Sequence, residues 1–247
     1  MPKVLFLYND PTAPSALLGE VFAESGFDCS TFDVLPRDRP DDPLVDVTFP
    51  DPTAYDVIVP LGARWSVYDD RLSWVAGEME MVREGLAAGV GVLGVCFGGQ
   101  LVASALGGTV ARSPQPEIGW REVTSSAPNL VPGGPWFQWH FDRFTVPPGA
   151  VEIARNSCAT QAFVKGTAMG LQFHPEVDLA LQEQWIAEDH GGDMGRLGLQ
   201  ADDLRATADL DDAARRLRLL VGGFLGLLDL RAPRGPGRGR VGGPTRR

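Results

Sequence analysis

The chain has 247 residues, a formal net charge of −10 and a hydrophobic share of 44%. These values suit one large α/β domain or two small ones, and they exclude collagen, coiled coil and disorder throughout. No apolar run reaches the ~18–20 residues of a membrane-spanning helix. The N-terminus lacks a secretory-signal pattern, and three cysteines do not indicate a disulfide framework. We therefore expect a cytoplasmic protein with no membrane partner.

The charge is distributed unevenly along the chain. Residues 231–247 contain six arginines and no acidic residue, so the rest of the chain is more acidic than the overall charge indicates. The Gly/Pro/Arg-rich composition of this tail predicts disorder. An acidic body repels phosphates, which makes a nucleic-acid partner unlikely on charge grounds. We expect one domain over residues 1–230, followed by a disordered tail over residues 231–247.

The first part of the chain alternates between strand-like apolar runs and helical periodicity. The predicted strands cover residues 3–8, 27–34, 55–61 and 89–95, and the predicted helices cover residues 15–25, 72–88 and 97–106. Residues 35–54 are predicted to be a connecting loop. Such alternation indicates a parallel sheet with helices on both faces, and it places functional loops at the carboxyl ends of the strands.

The second part of the chain changes character after residue 108. Short alternating stretches separated by Gly, Pro and Asn are typical of antiparallel strands. These stretches cover residues 109–111, 121–124, 143–145, 152–156, 162–165 and 169–173. Two helices are predicted near 178–189 and 202–229, with a Gly-rich loop over residues 190–198 between them. The predicted fold is an open, mostly parallel, flavodoxin-like or Rossmann-like α/β sheet flanked by helices, with an antiparallel extension.

The segment Gly94-Val95-Cys96-Phe97-Gly98-Gly99-Gln100 joins a predicted strand to a predicted helix. Its G-x-C-x-G-G-Q spacing is the cysteine counterpart of the G-x-S-x-G nucleophile elbow. A strained turn of this kind needs small flanking residues, and a helix N-terminus favours the thiolate. We therefore predict that Cys96 is a nucleophile and that the N–H of Phe97 points toward an oxyanion.

The segment Phe173-His174-Pro175-Glu176 follows another predicted strand at its carboxyl end. A cysteine nucleophile needs a base, and the chain has only three histidines. We predict that His174 is this base and that Glu176 orients its imidazole, as a carboxylate does in serine triads.

Together, these two segments resemble the class I (triad) glutamine amidotransferases, and in particular stand-alone members similar to the amidotransferase domain of GMP synthase. Four further segments resemble the family and occur in the family's order: Ser66-Val67-Tyr68-Asp69, Glu117-Ile118-Gly119-Trp120, Phe137-Gln138-Trp139-His140 and Gln161-Ala162-Phe163. The resemblance extends over roughly residues 3–177.

The resemblance implies a two-step hydrolysis of a glutamine side-chain amide. Cys96 attacks the carboxamide, a γ-glutamyl thioester forms, ammonia leaves, and water activated by His174 releases glutamate. The family's oxyanion hole corresponds to the backbone N–H of Phe97 and to a backbone N–H of Gly62 or Ala63. The residue matching Gln100 helps to hold the substrate.

No metal-binding or nucleotide-binding motif is present, so we expect no cofactor and no metal ion.

Two loops depart from the family pattern. Gly62-Ala63-Arg64-Trp65 stands where the family has Gly-Gly-Pro, and His140-Phe141-Asp142 stands where it has His-Gly-Asp. His140 and Phe141 are predicted to contact the substrate, although a histidine packed among aromatic side chains is the alternative for His140. The substrate is therefore either glutamine or a larger γ-glutamyl amide or peptide.

Three classes of function remain open at this point. Because no synthetase domain is recognised after the triad, ammonia either passes to a separate synthetase subunit or is released by a free-standing hydrolase. The chain could also be a non-catalytic or partner-dependent subunit that keeps the fold. A cysteine hydrolase of the PfpI type is disfavoured, because those enzymes use an acid near the end of the first strand and lack His-Pro-Glu.

Overall fold

The computed structural model describes residues 1–189, 192–206 and 209–228. The predicted tail and His190 lie outside these residues. The described residues form a nine-stranded sheet in the order β2-β1-β3-β4-β9-β8-β7-β5-β6. The strands are β1 Lys3–Tyr8, β2 Asp28–Asp33, β3 Val57–Pro60, β4 Gly91–Val95, β5 Val110–Ser125, β6 Gly134–Phe144, β7 Val151–Arg155, β8 Thr160–Lys165 and β9 Ala168–Leu171.

The sheet is parallel on one side and antiparallel on the other. The pairs β2–β1, β1–β3, β3–β4 and β4–β9 are parallel, whereas β9–β8, β8–β7, β7–β5 and β5–β6 are antiparallel. The predicted combination of a parallel sheet and an antiparallel extension is therefore confirmed. Strand β9 belongs to both parts, since it runs parallel to β4 and antiparallel to β8.

The helices cover both faces of the parallel part of the sheet. They are α1 Ala16–Glu24, α2 Ser73–Ala87, α3 Phe97–Ala105, α4 Leu179–Ala187, α5 Asp193–Arg196, α6 Ala201–Ala206 and α7 Leu210–Leu227. Helices α1 and α7 pack with Val4 and Phe6 on one face. Helix α2 contacts the opposite face, where Leu5 and Leu7 are buried. Alternate residues of β1 thus enter two cores, as a doubly covered strand requires.

The predicted stretches 109–111, 121–124 and 143–145 were too short. They belong to two long strands, β5 and β6, which form one hairpin. The intervening Pro and Gly residues argued against a continuous strand. The structure accommodates them with a register shift between Arg112 and Glu117 and with a φ of +91° at Gly119.

Two predictions near the end of the described chain also need correction. The stretch 202–229 was predicted as one helix, but α6 and α7 are separate, and the Asp209 side chain caps α7 by accepting from the Asp212 N–H. The predicted Gly-rich loop 190–198 contains the short helix α5, in which Asp193 lies in the first turn. Within the described ranges, no helix is both long and apolar enough to cross a bilayer.

Candidate active site

Cys96 lies in the sharp turn between β4 and α3. Its backbone has φ 51° and ψ −108°, a positive φ that is rare for residues other than glycine. Only 5% of the residue is exposed. A strained residue at a strand-to-helix junction fits the predicted nucleophile elbow, since such strain persists only where the surroundings impose it.

The glycines around Cys96 are required by close backbone contacts. A Cβ added to Gly98 would lie 2.0 Å from the Pro60 carbonyl oxygen, and one added to Gly94 would lie 2.4 Å from the Gly98 oxygen. A Cβ on Gly99 would lie 2.1 Å from the Leu171 oxygen. The elbow is therefore wedged between the ends of β3 and β9, and no side chain fits at these three positions.

His174 reaches the elbow because β9 runs beside β4. Val95, the last residue of β4, pairs with Leu171, the last residue of β9. The segments that follow the two parallel strands therefore leave the sheet at the same edge. The His174 N–H donates to the Phe137 carbonyl, at an N···O distance of 2.8 Å, which fixes the backbone after β9. The structure thus brings Cys96 and His174 together from positions far apart in sequence.

The His174 ring lies between Cys96 and Glu176. Its Nδ1 is 2.7 Å from Glu176 Oε1, while Cys96 Sγ lies 3.8 Å from the Trp139 carbonyl oxygen. Burial by itself lowers the pKa of a histidine, but the negative charges and hydrogen bonds of Cys96 and Glu176 outweigh burial and raise the pKa of His174 to about 10. At neutral pH the ring is therefore an imidazolium.

Two stretches of backbone offer N–H groups near Cys96. Neither Ala63 nor Phe97 has a hydrogen-bond acceptor for its N–H among the described residues. Gly62 lies against the His174 ring, because a Cβ there would be 3.1 Å from His174 Cε1. Unpaired N–H donors close to a candidate nucleophile are able to stabilise an oxyanion.

A cleft open to solvent leads to these groups. Cys96, His174 and Ala63 line it, together with residues that sequence reasoning missed: Thr12, Ala13, Trp139, Trp185, Glu188, Asp189 and Asp193. The Trp185 ring contacts the His174 ring edge-on, with centroids 4.8 Å apart, and its Nε1–H donates to the Thr12 carbonyl. No sequence pattern marks Trp185, because it reaches the cleft from α4 through tertiary packing alone.

Arg64, one of the departures from the family loop, is held at the rim of the cleft. Its guanidinium makes two hydrogen bonds to the buried carboxylate of Asp10, at 2.8 and 3.1 Å, and one of 2.6 Å to Asp41. The hydrogen bonds that the guanidinium donates to Asp10 contribute most to raising the pKa of Arg64. The positive charge of Arg64 is therefore already matched by two carboxylates.

The predicted substrate-contacting residues Gln100, His140 and Phe141 are not among the residues that line this cleft. Gln100 is buried, and its side-chain amide donates to the Asp142 carbonyl. His140 is also buried, with Nδ1 3.0 Å from the same carbonyl and Nε2 3.2 Å from Glu117 Oε2. The Phe141 ring packs against the guanidinium of Arg112 on β5. In this structure, Gln100 and His140 support the segment after Trp139 from within the protein.

Sequence comparison identifies the family. The family model described as "Glutamine amidotransferase class-I" matches residues 33–191. The GMP synthase [glutamine-hydrolyzing] of Aeropyrum pernix is 36% identical over 113 residues, which cover 42% of this chain and 22% of the relative. The chain therefore spans less than a quarter of the length of that relative.

Structural comparison agrees with the sequence match. A glutamine amidotransferase from Thermotoga maritima has a TM-score of 0.77 at 25% identity, covering 92% of this chain and 98% of the other. A glutamine amidotransferase from Methylobacillus flagellatus has a TM-score of 0.79 at 22% identity, covering 96% and 99%, and so supports the fold. The chain belongs to the class-I glutamine amidotransferase family.

Proposed function

We propose that this protein is a cysteine amidohydrolase that cleaves the side-chain amide of glutamine, or of a γ-glutamyl amide or peptide, through a thioester on Cys96. The observation that carries the proposal is that Cys96, at a strained elbow, lines one cleft with His174, whose Nδ1 is hydrogen-bonded to Glu176. A buried cysteine retained only for packing needs neither the strained backbone nor a charged imidazole beside it.

In the first step, the Cys96 thiolate attacks the carbonyl carbon of the amide and forms a C–S bond. The negative charge moves to the carbonyl oxygen, where the N–H groups of Phe97 and of Ala63 or Gly62 are placed to receive it. The His174 imidazolium then gives its proton to the amide nitrogen. The C–N bond breaks, ammonia or an amine leaves, and a γ-glutamyl thioester remains.

In the second step, neutral His174 removes a proton from a water molecule as its oxygen attacks the thioester carbon. The C–S bond breaks, the Cys96 thiolate is regenerated beside the His174 imidazolium, and glutamate leaves. Glu176 keeps Nδ1 protonated throughout, so that Nε2 is the nitrogen that exchanges protons with substrate and water. The 2.7 Å hydrogen bond to the buried Glu176 holds the ring in this orientation.

The test is glutamate release by the purified protein from L-glutamine, γ-glutamylglycine and γ-glutamylmethylamide. We expect turnover of at least one of the three. Hydroxylamine added to the reaction should trap the thioester as γ-glutamyl hydroxamate, in proportion to the loss of glutamate. Failure of the purified protein to release glutamate from any of the three would contradict a self-sufficient hydrolase.

A second candidate function is an ammonia-supplying subunit for a separate synthetase. It is favoured by the similarity to the GMP synthase [glutamine-hydrolyzing] of Aeropyrum pernix, whose name combines a synthetase with glutamine hydrolysis. This function uses the same chemistry at Cys96 but passes the ammonia to another protein. It predicts that glutamine is hydrolysed and that the two γ-glutamyl amides with larger leaving groups are not. Comparable turnover of all three would contradict it.

A further inference from the structure

A carboxyl group that the proposed chemistry does not use lies in the interior beside the candidate oxyanion loop. Glu78 on α2 is fully buried, and its Oε1 accepts a hydrogen bond of 3.1 Å from Asn9 Nδ2. The other oxygen of Glu78 and the amide oxygen of Asn9 have no hydrogen-bond partner among the described residues. A buried carboxyl group with only one hydrogen-bonded oxygen lowers the stability of the folded state, so its presence needs a physical explanation.

The Asn9 amide connects Glu78 to the backbone of the candidate active site. The same Nδ2 donates to the Leu61 carbonyl, also at 3.1 Å, and that carbonyl accepts a second hydrogen bond from the Gly98 N–H. Leu61 directly precedes Gly62, and Gly98 lies in the first turn of α3. The Leu61 carbonyl therefore links the loop after β3 to the helix that follows Cys96. The Asn9 amide stabilises this link by donating a hydrogen bond to the same carbonyl.

We propose that Asn9 and Glu78 form a positioning pair for the oxyanion loop, and that the pair holds the loop only while Glu78 is uncharged. This inference rests on the proposed hydrolase function. Neither residue lines the cleft. They act through the Leu61 carbonyl, which sets the spacing between the N–H groups on the two sides of Cys96.

The surroundings of Glu78 support an uncharged carboxyl at neutral pH. Burial raises the pKa of Glu78 to about 8, and the hydrogen bond from Asn9 offsets this only in part. Neighbouring residues on its own face of α2, Trp74, Val75 and Val82, are buried and apolar. A carboxylate formed there would have one neutral donor and would move toward water, drawing Asn9 away from Leu61.

The charged groups on and near the elements that carry the pair, including Glu84 on α2, are exposed or paired with other residues. On α2, Glu80 pairs with Arg83 at 3.0 Å on the exposed side. Asp10, which follows β1, pairs with Arg64, which follows β3. On α3, Gln100 is neutral and donates to a backbone carbonyl. None of these groups supplies a positive charge to Glu78, so ionisation of Glu78 stays uncompensated.

The first test compares pH profiles of kcat for wild type and two variants of Glu78. Wild-type kcat should fall as the pH rises through about 8, whereas Glu78→Gln should maintain its kcat toward the higher pH at which His174 loses its proton. Glu78→Leu, which cannot accept from Asn9, should lower kcat about tenfold with little change in KM, because oxyanion contacts act in the transition state. Glu80→Gln is the matched control and should follow wild type.

A second measurement does not depend on turnover. Hydrogen exchange at pH 9, followed by mass spectrometry, should be faster in wild type than in Glu78→Gln for peptides that contain Leu61–Ala63 and Phe97–Gly98. Other parts of the sheet should exchange equally in the two proteins. Superimposable pH profiles, or equal exchange at both segments, would overturn the inference. If no substrate is turned over, the proposed function fails, and the exchange comparison alone decides whether the pair holds the loop.

Discussion

The two parts of the sheet differ in how they are built and in what they contribute. In the parallel part, from β1 to α3, the central strands β1, β3 and β4 are buried. Cys96 lies there at a strained turn whose glycines leave no room for side chains. The antiparallel part, from β5 to β8, is a set of hairpins beside it. The parallel part holds the proposed nucleophile, whereas the proposed base follows β9, which belongs to both parts. Substitutions in the two parts should therefore have different consequences.

The largest expected effect is at the nucleophile itself. Cys96→Ala should reduce glutamate release by at least about 10⁴-fold, because the covalent step is lost. Circular dichroism should give the same spectrum as for wild type. Cys158→Ala, which removes a free cysteine of the antiparallel part, is the matched control and should retain activity. Comparable turnover by Cys96→Ala would rule out the thioester mechanism.

The next effect concerns the residue that orients the base. Glu176→Gln should lower kcat by roughly 10²-fold while the protein stays folded. Glu176 helps to hold the pKa of His174 at about 10, so loss of the carboxylate should lower that pKa. The alkaline fall in activity that reflects deprotonation of the imidazolium should then move to lower pH. A pH–rate profile of kcat measures both the loss of rate and the shift of the alkaline fall. An unchanged rate would remove Glu176 from the proposed triad.

A backbone contact of the parallel part gives a mixed effect on stability and activity. Gly98→Ala places a Cβ 2.0 Å from the Pro60 oxygen, so it should lower the free energy of unfolding by about 2 kcal/mol and reduce kcat. Gly226→Ala is the matched control, because it lies in α7 with open space around it. That variant should raise the free energy of unfolding by about 0.5–1 kcal/mol. Urea denaturation measures the free energy of unfolding of both variants. Equal changes in the two variants would contradict a specific close contact at Gly98.

The smallest effect is expected in the antiparallel part. Ile153 on β7 is buried in the main core, so Ile153→Val should lower the free energy of unfolding by about 1 kcal/mol. Because β7 is separated from β9 by β8, kcat should stay at the wild-type value. A loss of kcat beyond twofold in this variant would show that the two parts are coupled more tightly than the proposed division allows.

The parallel part of the fold and the position of the elbow could be predicted from the sequence, because they depend on local signals. Apolar runs of strand length, helical periodicity and the glycines around Cys96 all occur within short segments. The same reasoning failed for β5 and β6, where Pro114 and Pro116 argued against a continuous strand. The structure places a register shift there, which no local pattern reveals.

The candidate site was predictable only where motif and topology coincide. His174 follows a strand whose carboxyl end meets the elbow, so its proximity to Cys96 could be expected. Trp185 and Asp189 reach the cleft from segments after the last strand, and their approach depends on packing between distant parts of the chain. Glu78 was overlooked because its place on the buried side of an amphipathic helix carries no motif.

The hydrogen bond from Trp185 to the Thr12 carbonyl joins residues 173 positions apart. Synthesis therefore produces the cysteine well before the imidazole, its carboxylate partner and the tryptophan that packs against the imidazole. Until the later strands add to the sheet, Cys96 lacks the His174 ring beside it. The groups of the proposed triad therefore come together only after β9 and the segment that follows it have joined the fold.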